Sequence, residues 1–316
     1  MNGKPCCTPE REAISAGSAG PFPARDGGAS SPRQHDFVGL TGGVYLMGAP
    51  LLEGFPADGE GPPREVRVSP FRMAATTVSN AQFSEFVRAT GFITQAEAGG
   101  SSFVFYLQVP RALRNSIRQH PGGLPWWLDV RDACWQRPAG PGSNVRDRPD
   151  HPVVHVSWDD AQAYCRWAGV ALPTEAQWEY AARGGLHAKR YPWGDLKSAA
   201  PPCNIWRGAF PHEPAAGWRP GTVSPKADPP NDFGLYAASG NVWEWCQDSF
   251  TPEYHRATSA IDPLHIEPTG RRSSRGGSFL CHDSYCNRYR VAARGSNTPE
   301  SSAGNQGFRV VASASA

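Results

Sequence analysis

Two thiols five positions apart, Cys281 and Cys286, sit in the segment Arg275-Gly-Gly-Ser-Phe-Leu-Cys-His-Asp-Ser-Tyr-Cys-Asn-Arg-Tyr-Arg-Val-Ala-Ala-Arg294. Thiolates are soft metal ligands and good reductants, and nearby positive charge favours the deprotonated form. Arg275, Arg288, Arg290 and Arg294 share the segment, so it reads as a reactive or metal-binding thiol site, with a structural disulfide or two buried thiols as the plainer alternative. The remaining cysteines do not extend the group. Cys134, Cys165, Cys203 and Cys246 stand alone beside Trp, Tyr or Pro and read as buried free thiols, and Cys6-Cys7 is the one other pair. A structural zinc site wants four Cys or His ligands, and the chain has no Cys-x2-Cys pair to supply them.

A loop-rich domain must position these residues. The 34 Gly, 31 Pro and 11 Trp, against 19% charged residues, describe a globular chain with many turns and aromatic packing mass. A net charge of +2 with no Lys/Arg run gives no reason to expect a nucleic-acid partner. No stretch approaches the ~20 apolar residues of a membrane span, and the N-terminus lacks the apolar core of a secretory signal. The expectation is therefore a cytoplasmic protein, and a monomer, since no apolar patch stands out. Residues 1–34 are poor in large apolar side chains and read as a flexible tail; residues 35–316 read as one domain.

Within that domain, Val38, Leu40, Val44, Leu46 and Met47 predict short strands around Gly42-Gly43, and Arg64-Glu-Val-Arg-Val-Ser69 alternates as another. Three capping boxes, Ser79–Gln82, Ser157–Asp160 and Thr174–Gln177, open helices that stop at Gly91, Gly169 and Gly184. From Tyr191 onward helical periodicity disappears. The last third reads as short strands and long ordered loops, where sites tend to sit. The fold class is α+β, low in regular secondary structure.

With these blocks in view, the chain resembles the formylglycine-generating enzymes, or sulfatase-modifying factors. The resemblance runs from Gly42-Gly-Val-Tyr-Leu-Met-Gly48 through Pro125-Trp-Trp127, His151-Pro-Val-Val-His-Val-Ser-Trp158, Leu172-Pro-Thr-Glu-Ala-Gln-Trp-Glu-Tyr180, Asn204-Ile-Trp206 and Gly240-Asn-Val-Trp-Glu-Trp245 to Gly307-Phe-Arg309. Those blocks also occur in non-catalytic and iron-dependent relatives; the Arg275–Arg294 block is the one similar to the oxidase branch. The resemblance implies a fold related to C-type lectins. It also implies oxidation of the cysteine in a Cys-x-Pro-x-Arg segment of an unfolded client, typically a sulfatase, to Cα-formylglycine. Cu(I) would be held by Cys281 and Cys286, with O2 and a thiol reductant as co-substrates. By the same resemblance Ser278 lies beside the metal, Trp243 walls the oxygen pocket, and Arg294 and Asn305 either bind substrate or support the site from behind.

The chain also departs from the family. Many members hold structural Ca2+, here implied at Asn204, Ile205, Gly240, Val242 and Glu244; but Ala216 and Ala237 replace oxygen-bearing side chains, which makes calcium doubtful. Some members present an acidic residue to the client's arginine where this chain has Ser101, with Glu97 nearby. Cys7-Thr-Pro-Glu-Arg11 itself has the form Cys-x-Pro-x-Arg, either by coincidence or as a substrate or pseudosubstrate in the tail. Two rival readings are a non-catalytic lectin-like binding module, which has no need of the cysteine pair, and an iron sulfoxide synthase, which needs a histidine-bearing N-terminal domain.

Overall fold

The computed structural model describes residues 8–11, 35–115, 117, 120–121, 123–196 and 201–313. Cys6 and Cys7 lie outside the described residues. The helices are α1 (Asn80–Thr90), α2 (Gln95–Ala98), α3 (Arg111–Arg114), α4 (Trp158–Ala168), α5 (Glu175–Arg183) and α6 (Tyr254–Ala257). All three expected capping boxes form, at the starts of α1, α4 and α5, and each helix stops at its expected left-handed glycine. A fourth box, Thr94–Glu97, opens the one-turn α2 and has no counterpart among the sequence-based expectations.

The strands are β1 (Phe37–Leu40), β2 (Gly43–Met47), β3 (Arg64–Val68), β4 (Phe71–Ala74), β5 (Ser101–Phe105), β6 (Trp127–Arg131), β7 (Gly208–Ala209), β8 (Glu213–Pro214), β9 (Trp243–Ser249), β10 (Arg272–Arg275), β11 (Arg294–Asn297), β12 (Gln306–Phe308) and β13 (Val311–Ser313). They form a three-stranded sheet β1-β4-β13, a four-stranded sheet β11-β10-β9-β12, and the pairs β2-β3, β5-β6 and β7-β8. In the four-stranded sheet β12 runs parallel to β9, while β10 is antiparallel to both its neighbours.

β9 is the keel of the site. Six of its seven residues are buried, so it shows no period-two alternation. On one side Trp245 joins Phe83, Phe86, Tyr164 and Phe308 in the core shared by α1 and α4. Elsewhere α5 packs on β9 and β10, carrying Glu175 and Glu179 into the interior. Among the described residues, no helix is long and apolar enough to cross a membrane. Within the stretch expected to be a tail, Thr8 to Arg11 lie against the domain, with Thr8 and Pro9 buried.

Candidate active site

The turn after β10 brings the two thiols together. Gly276 and Gly277 both take positive φ, +92° and +71°. A Cβ at 277 would stand 2.6 Å from the Arg288 carbonyl oxygen and 3.0 Å from Cys281 Sγ, so only glycine lets this backbone pass so close to the sulfur. The chain then turns through a Ser278–Cys281 backbone hydrogen bond and again through His282, whose carbonyl accepts from Tyr285 and Cys286. The outcome is a Cys281 Sγ to Cys286 Sγ distance of 3.6 Å, with both residues fully buried and neither in a disulfide.

Around the sulfurs lie Tyr191, Cys203, Ile205, Trp243 and Tyr289, with Trp193 and Tyr285 at the margin. Tyr191 stacks on Trp193 and Tyr289 at 4.9 and 5.3 Å between ring centres. The Tyr289 hydroxyl donates to Asp283 at 2.6 Å; burial, then that bond, push its pKa well up, so it stays a neutral phenol. Trp243, on β9, is wholly buried and lies in the same cluster.

Ser278 is placed beside Cys281. Its backbone N–H points at Cys281 Sγ at 3.4 Å, and its hydroxyl oxygen accepts from Asn305 Nδ2 at 3.0 Å and from the Leu280 N–H at 3.3 Å. Two accepted bonds fill the hydroxyl's acceptor sites and leave its own hydrogen to donate. Asn305 is fully buried, and its Oδ1 accepts no hydrogen bond from the described residues. It reaches the site through Ser278.

Of the two roles considered for Arg294, direct substrate contact does not fit its place. Its Nε and Nη2 pair with both oxygens of Glu175, and its Nη1 donates to carbonyls of Asp58, Gly59 and Thr251. With every nitrogen of its guanidinium bonded inside the protein and the residue 1% exposed, Arg294 is held in the core away from any client. The other arginines of the segment are likewise committed: Arg275 to Glu175 and Glu179, Arg288 to Asp58, Arg290 to Glu60. Each of these positive charges is thus met by a carboxylate in the interior.

The positions considered for calcium are engaged by protein groups. Both oxygens of Glu244 face Arg309, and one also accepts from Trp178 Nε1 at 2.7 Å. The Asn204 amide donates to Gly221 O and Asn241 Oδ1, while the Asn204 carbonyl accepts the Asn241 N–H. A Cβ on Gly240 would fall 2.4 Å from that carbonyl; Ile205 and Val242 are buried core. Glu97, considered for a client arginine, is bound by its own helix cap, accepting from Thr94 N and Oγ1.

The lone thiols behave as packing. Cys134, Cys165, Cys203 and Cys246 are free and buried, and burial pushes the Cys203 thiol up to about 12.

Comparison with known proteins agrees with this geometry. A family model for the sulfatase-modifying factor enzyme 1-like domain matches residues 26–314. A formylglycine-generating enzyme of Streptomyces coelicolor is 53% identical over 299 residues, covering 92% of this chain and 95% of the relative. A Bos taurus protein named inactive Cα-formylglycine-generating enzyme 2 is 44% identical, covering 88% of each chain, so overall identity alone does not separate active from inactive members. The solved structure of PvdO from Pseudomonas aeruginosa shares the fold, with a TM-score of 0.65 at 22% identity over 88% of this chain and 94% of that one. The chain therefore belongs to the sulfatase-modifying factor family, the family of the formylglycine-generating enzymes.

Proposed function

We propose that this protein oxidises the cysteine of a Cys-x-Pro-x-Arg segment in a client polypeptide, a sulfatase, to Cα-formylglycine. The observation that carries the reading is the buried, unbridged Cys281–Cys286 pair at 3.6 Å. The net change balances: one client thiol, one O2 and two external thiols give one client aldehyde, one hydrogen sulfide, one water and one external disulfide. The client's Cβ loses one hydrogen and its sulfur, and the external thiols supply the two reducing equivalents.

The residues present fit Cu(I). Two thiol sulfurs a van der Waals contact apart, in a largely aromatic wall, are the donor set a soft monovalent ion prefers. Cys281 and Cys286 would hold it, and when bound it would supply the one-electron chemistry that lets O2 react with a thiol-bearing substrate. The protein's own contribution is positional. Gly277 lets Cys281 approach the turn, the Ser278 N–H helps fix its sulfur, and the Ser278 hydroxyl keeps a hydrogen for charge that develops beside it. Asn305 orients that hydroxyl, and Trp243, Tyr191 and Tyr289 exclude water. The six free cysteines among the described residues support a reducing compartment such as the cytoplasm.

The test is mass spectrometry of a Cys-Thr-Pro-Ser-Arg peptide incubated with Cu(I)-loaded protein, air and a thiol reductant. Conversion of the peptide's cysteine to the aldehyde, abolished in Cys281→Ser and Cys286→Ser, is the expected outcome. Undiminished conversion in either variant would remove the pair from the mechanism.

A further inference from the structure

Four consecutive residues far from the domain in sequence are held by it in detail. Pro9 O accepts from Asn297 Nδ2 at 2.8 Å, and the Glu10 carboxylate pairs with Arg271 at 2.7 Å. The Arg11 N–H donates to Ser301 Oγ at 2.9 Å, and its guanidinium donates to Ser101 O at 2.6 Å and to Ser101 Oγ at 3.3 Å. The same guanidinium lies over the Phe103 ring, 5.7 Å from its centre. Thr8 is 8% exposed. Backbone, side chain and ring are all used, which is the pattern of a peptide seated in a groove rather than of a segment brushing a surface.

The groove is built from the same parts as the thiol site. Its floor, Phe103, is packed with Phe279 and Leu280, which lead directly into Cys281. Its wall, the loop 298–305, bonds Arg11 through Ser301, pairs with β5 where the Gly304 N–H meets Phe103 O, and ends at Asn305, which holds Ser278. A peptide whose arginine side chain sits on Ser101 and whose backbone bonds Ser301 thus lies on elements continuous with the turn that carries the sulfurs. The seated residues, Thr8-Pro9-Glu10-Arg11, follow Cys7 and complete the Cys-x-Pro-x-Arg form.

We propose that the N-terminal segment is a client-like ligand of this protein's own groove: Thr8 to Arg11 occupy in cis the surface that a Cys-x-Pro-x-Arg client must use. This rests on the client motif of the proposed function. A tethered segment competes at an effective concentration on the order of 1 mM. For an intrinsic dissociation constant on the order of 0.1 mM it raises the apparent KM of a client about tenfold without changing kcat. Clients that bind tightly displace it; weak cysteine peptides are kept out.

The test compares the full chain with Arg11→Ala, using two dye-labelled peptides and fluorescence anisotropy, alongside turnover. One peptide carries the tail sequence as Ser-Thr-Pro-Glu-Arg, the other a client sequence as Ser-Thr-Pro-Ser-Arg, each with serine in place of the reacting cysteine. The expected result is about tenfold tighter binding of both to Arg11→Ala, mutual competition between them, and a matching fall in KM for Cys-Thr-Pro-Ser-Arg at constant kcat. Equal affinity and equal KM in the two proteins, with turnover intact, would overturn the inference and leave the oxidase standing. Tighter tail-peptide binding to Arg11→Ala with no oxidation of any client would do the reverse, keeping the cis contact and removing the oxidase reading.

Discussion

The twenty residues from Arg275 to Arg294 serve two regions of opposite character. On one side four arginines enter a buried layer of carboxylates from α5 and the 58–60 turn. On the other, Ser278, Cys281 and Cys286 lie among aromatic rings, with the two sulfurs against each other. The charged layer is costly to bury and is stable only because every ion has its partner. The sulfur layer is walled by apolar and aromatic side chains and presents two soft donors, which is what the proposed function uses. Full charge in this molecule anchors the turn; under the proposed function the chemistry falls to the soft sulfurs.

Breaking the charged layer should have the largest effect. Glu175→Ala leaves Arg275 and Arg294 buried with their main counter-charge gone, and should cost about 3–5 kcal/mol, read as a fall in the urea midpoint. Activity should fall with the folded fraction, and any protein that remains folded should turn over client normally. A variant with unchanged stability would mean that the two arginines find other partners, and the contrast between the layers would fail.

Breaking the sulfur layer should do the reverse. Ser278→Ala and Asn305→Ala remove the hydroxyl beside Cys281 and the amide that orients it, so each should lower turnover about 10–100-fold while the fold persists. If the two residues act as one unit, the double variant should be no worse than Ser278→Ala alone. Full additivity would separate them. A large loss of stability in either single variant would make them structural instead.

Acid should separate the layers without mutation. His155 is fully buried, bonded to Ser102 Oγ and Pro138 O, and burial lowers its pKa to about 4. Its folded value lies below the unfolded one, so the unfolded chain binds the extra proton first, and stability drops as pH falls from about 6.5 toward 4. Burial alone would raise the Glu175 and Glu179 carboxyls, but the arginines beside them hold both low. Their contribution is present above the unfolded carboxylate value of about 4.3 and is lost as pH falls through the lower folded values. His35, lowered to about 4 by burial, acts in the same sense, and Asp160 and Asp248, raised by burial to about 7, act in the opposite one. The signature of His155 is therefore the difference between proteins: His155→Asn should lose less stability than the parent between about pH 6.5 and 4, with a common steeper loss below. Equal pH dependence in the parent and His155→Asn over that window would contradict the burial of a neutral His155.

What could be read from the sequence divides along physical lines. The capping boxes at Ser79, Ser157 and Thr174 are local, three residues from donor to acceptor, and all three form. The thiol pair was legible from its own spacing and its surroundings, and Gly276-Gly277 marked the turn that closes it. The partners of the arginines were not legible: Arg290 meets Glu60 across 230 positions, and Arg294 meets Glu175 across 119. Nothing in a charge's own neighbourhood tells whether its partner is a client or the core, which is why the pairing of Arg294 with Glu175 could not be named in advance. β9 escaped because burial on both faces erases the alternation that identifies a strand. The tail motif was visible as a pattern, but its seat on Ser101, Asn297 and Ser301 exists only once the chain is folded.

The smallest effect sharpens the comparison most. Cys203 shares the apolar cluster of Cys281 and Cys286, is likewise closed off from solvent, and differs in standing alone, with burial holding its pKa up at about 12. If burial in this cluster were what made a thiol functional, Cys203→Ala should disturb turnover as the paired positions do. If the second sulfur is what matters, Cys203→Ala should cost only about 1 kcal/mol of stability for the lost packing and leave kcat and KM unchanged. The thiol should also resist iodoacetamide at about pH 8 in the native protein, because alkylation needs the thiolate that burial withholds. Loss of turnover in Cys203→Ala at full stability would place a third sulfur in the site and redraw the boundary of the soft layer around it.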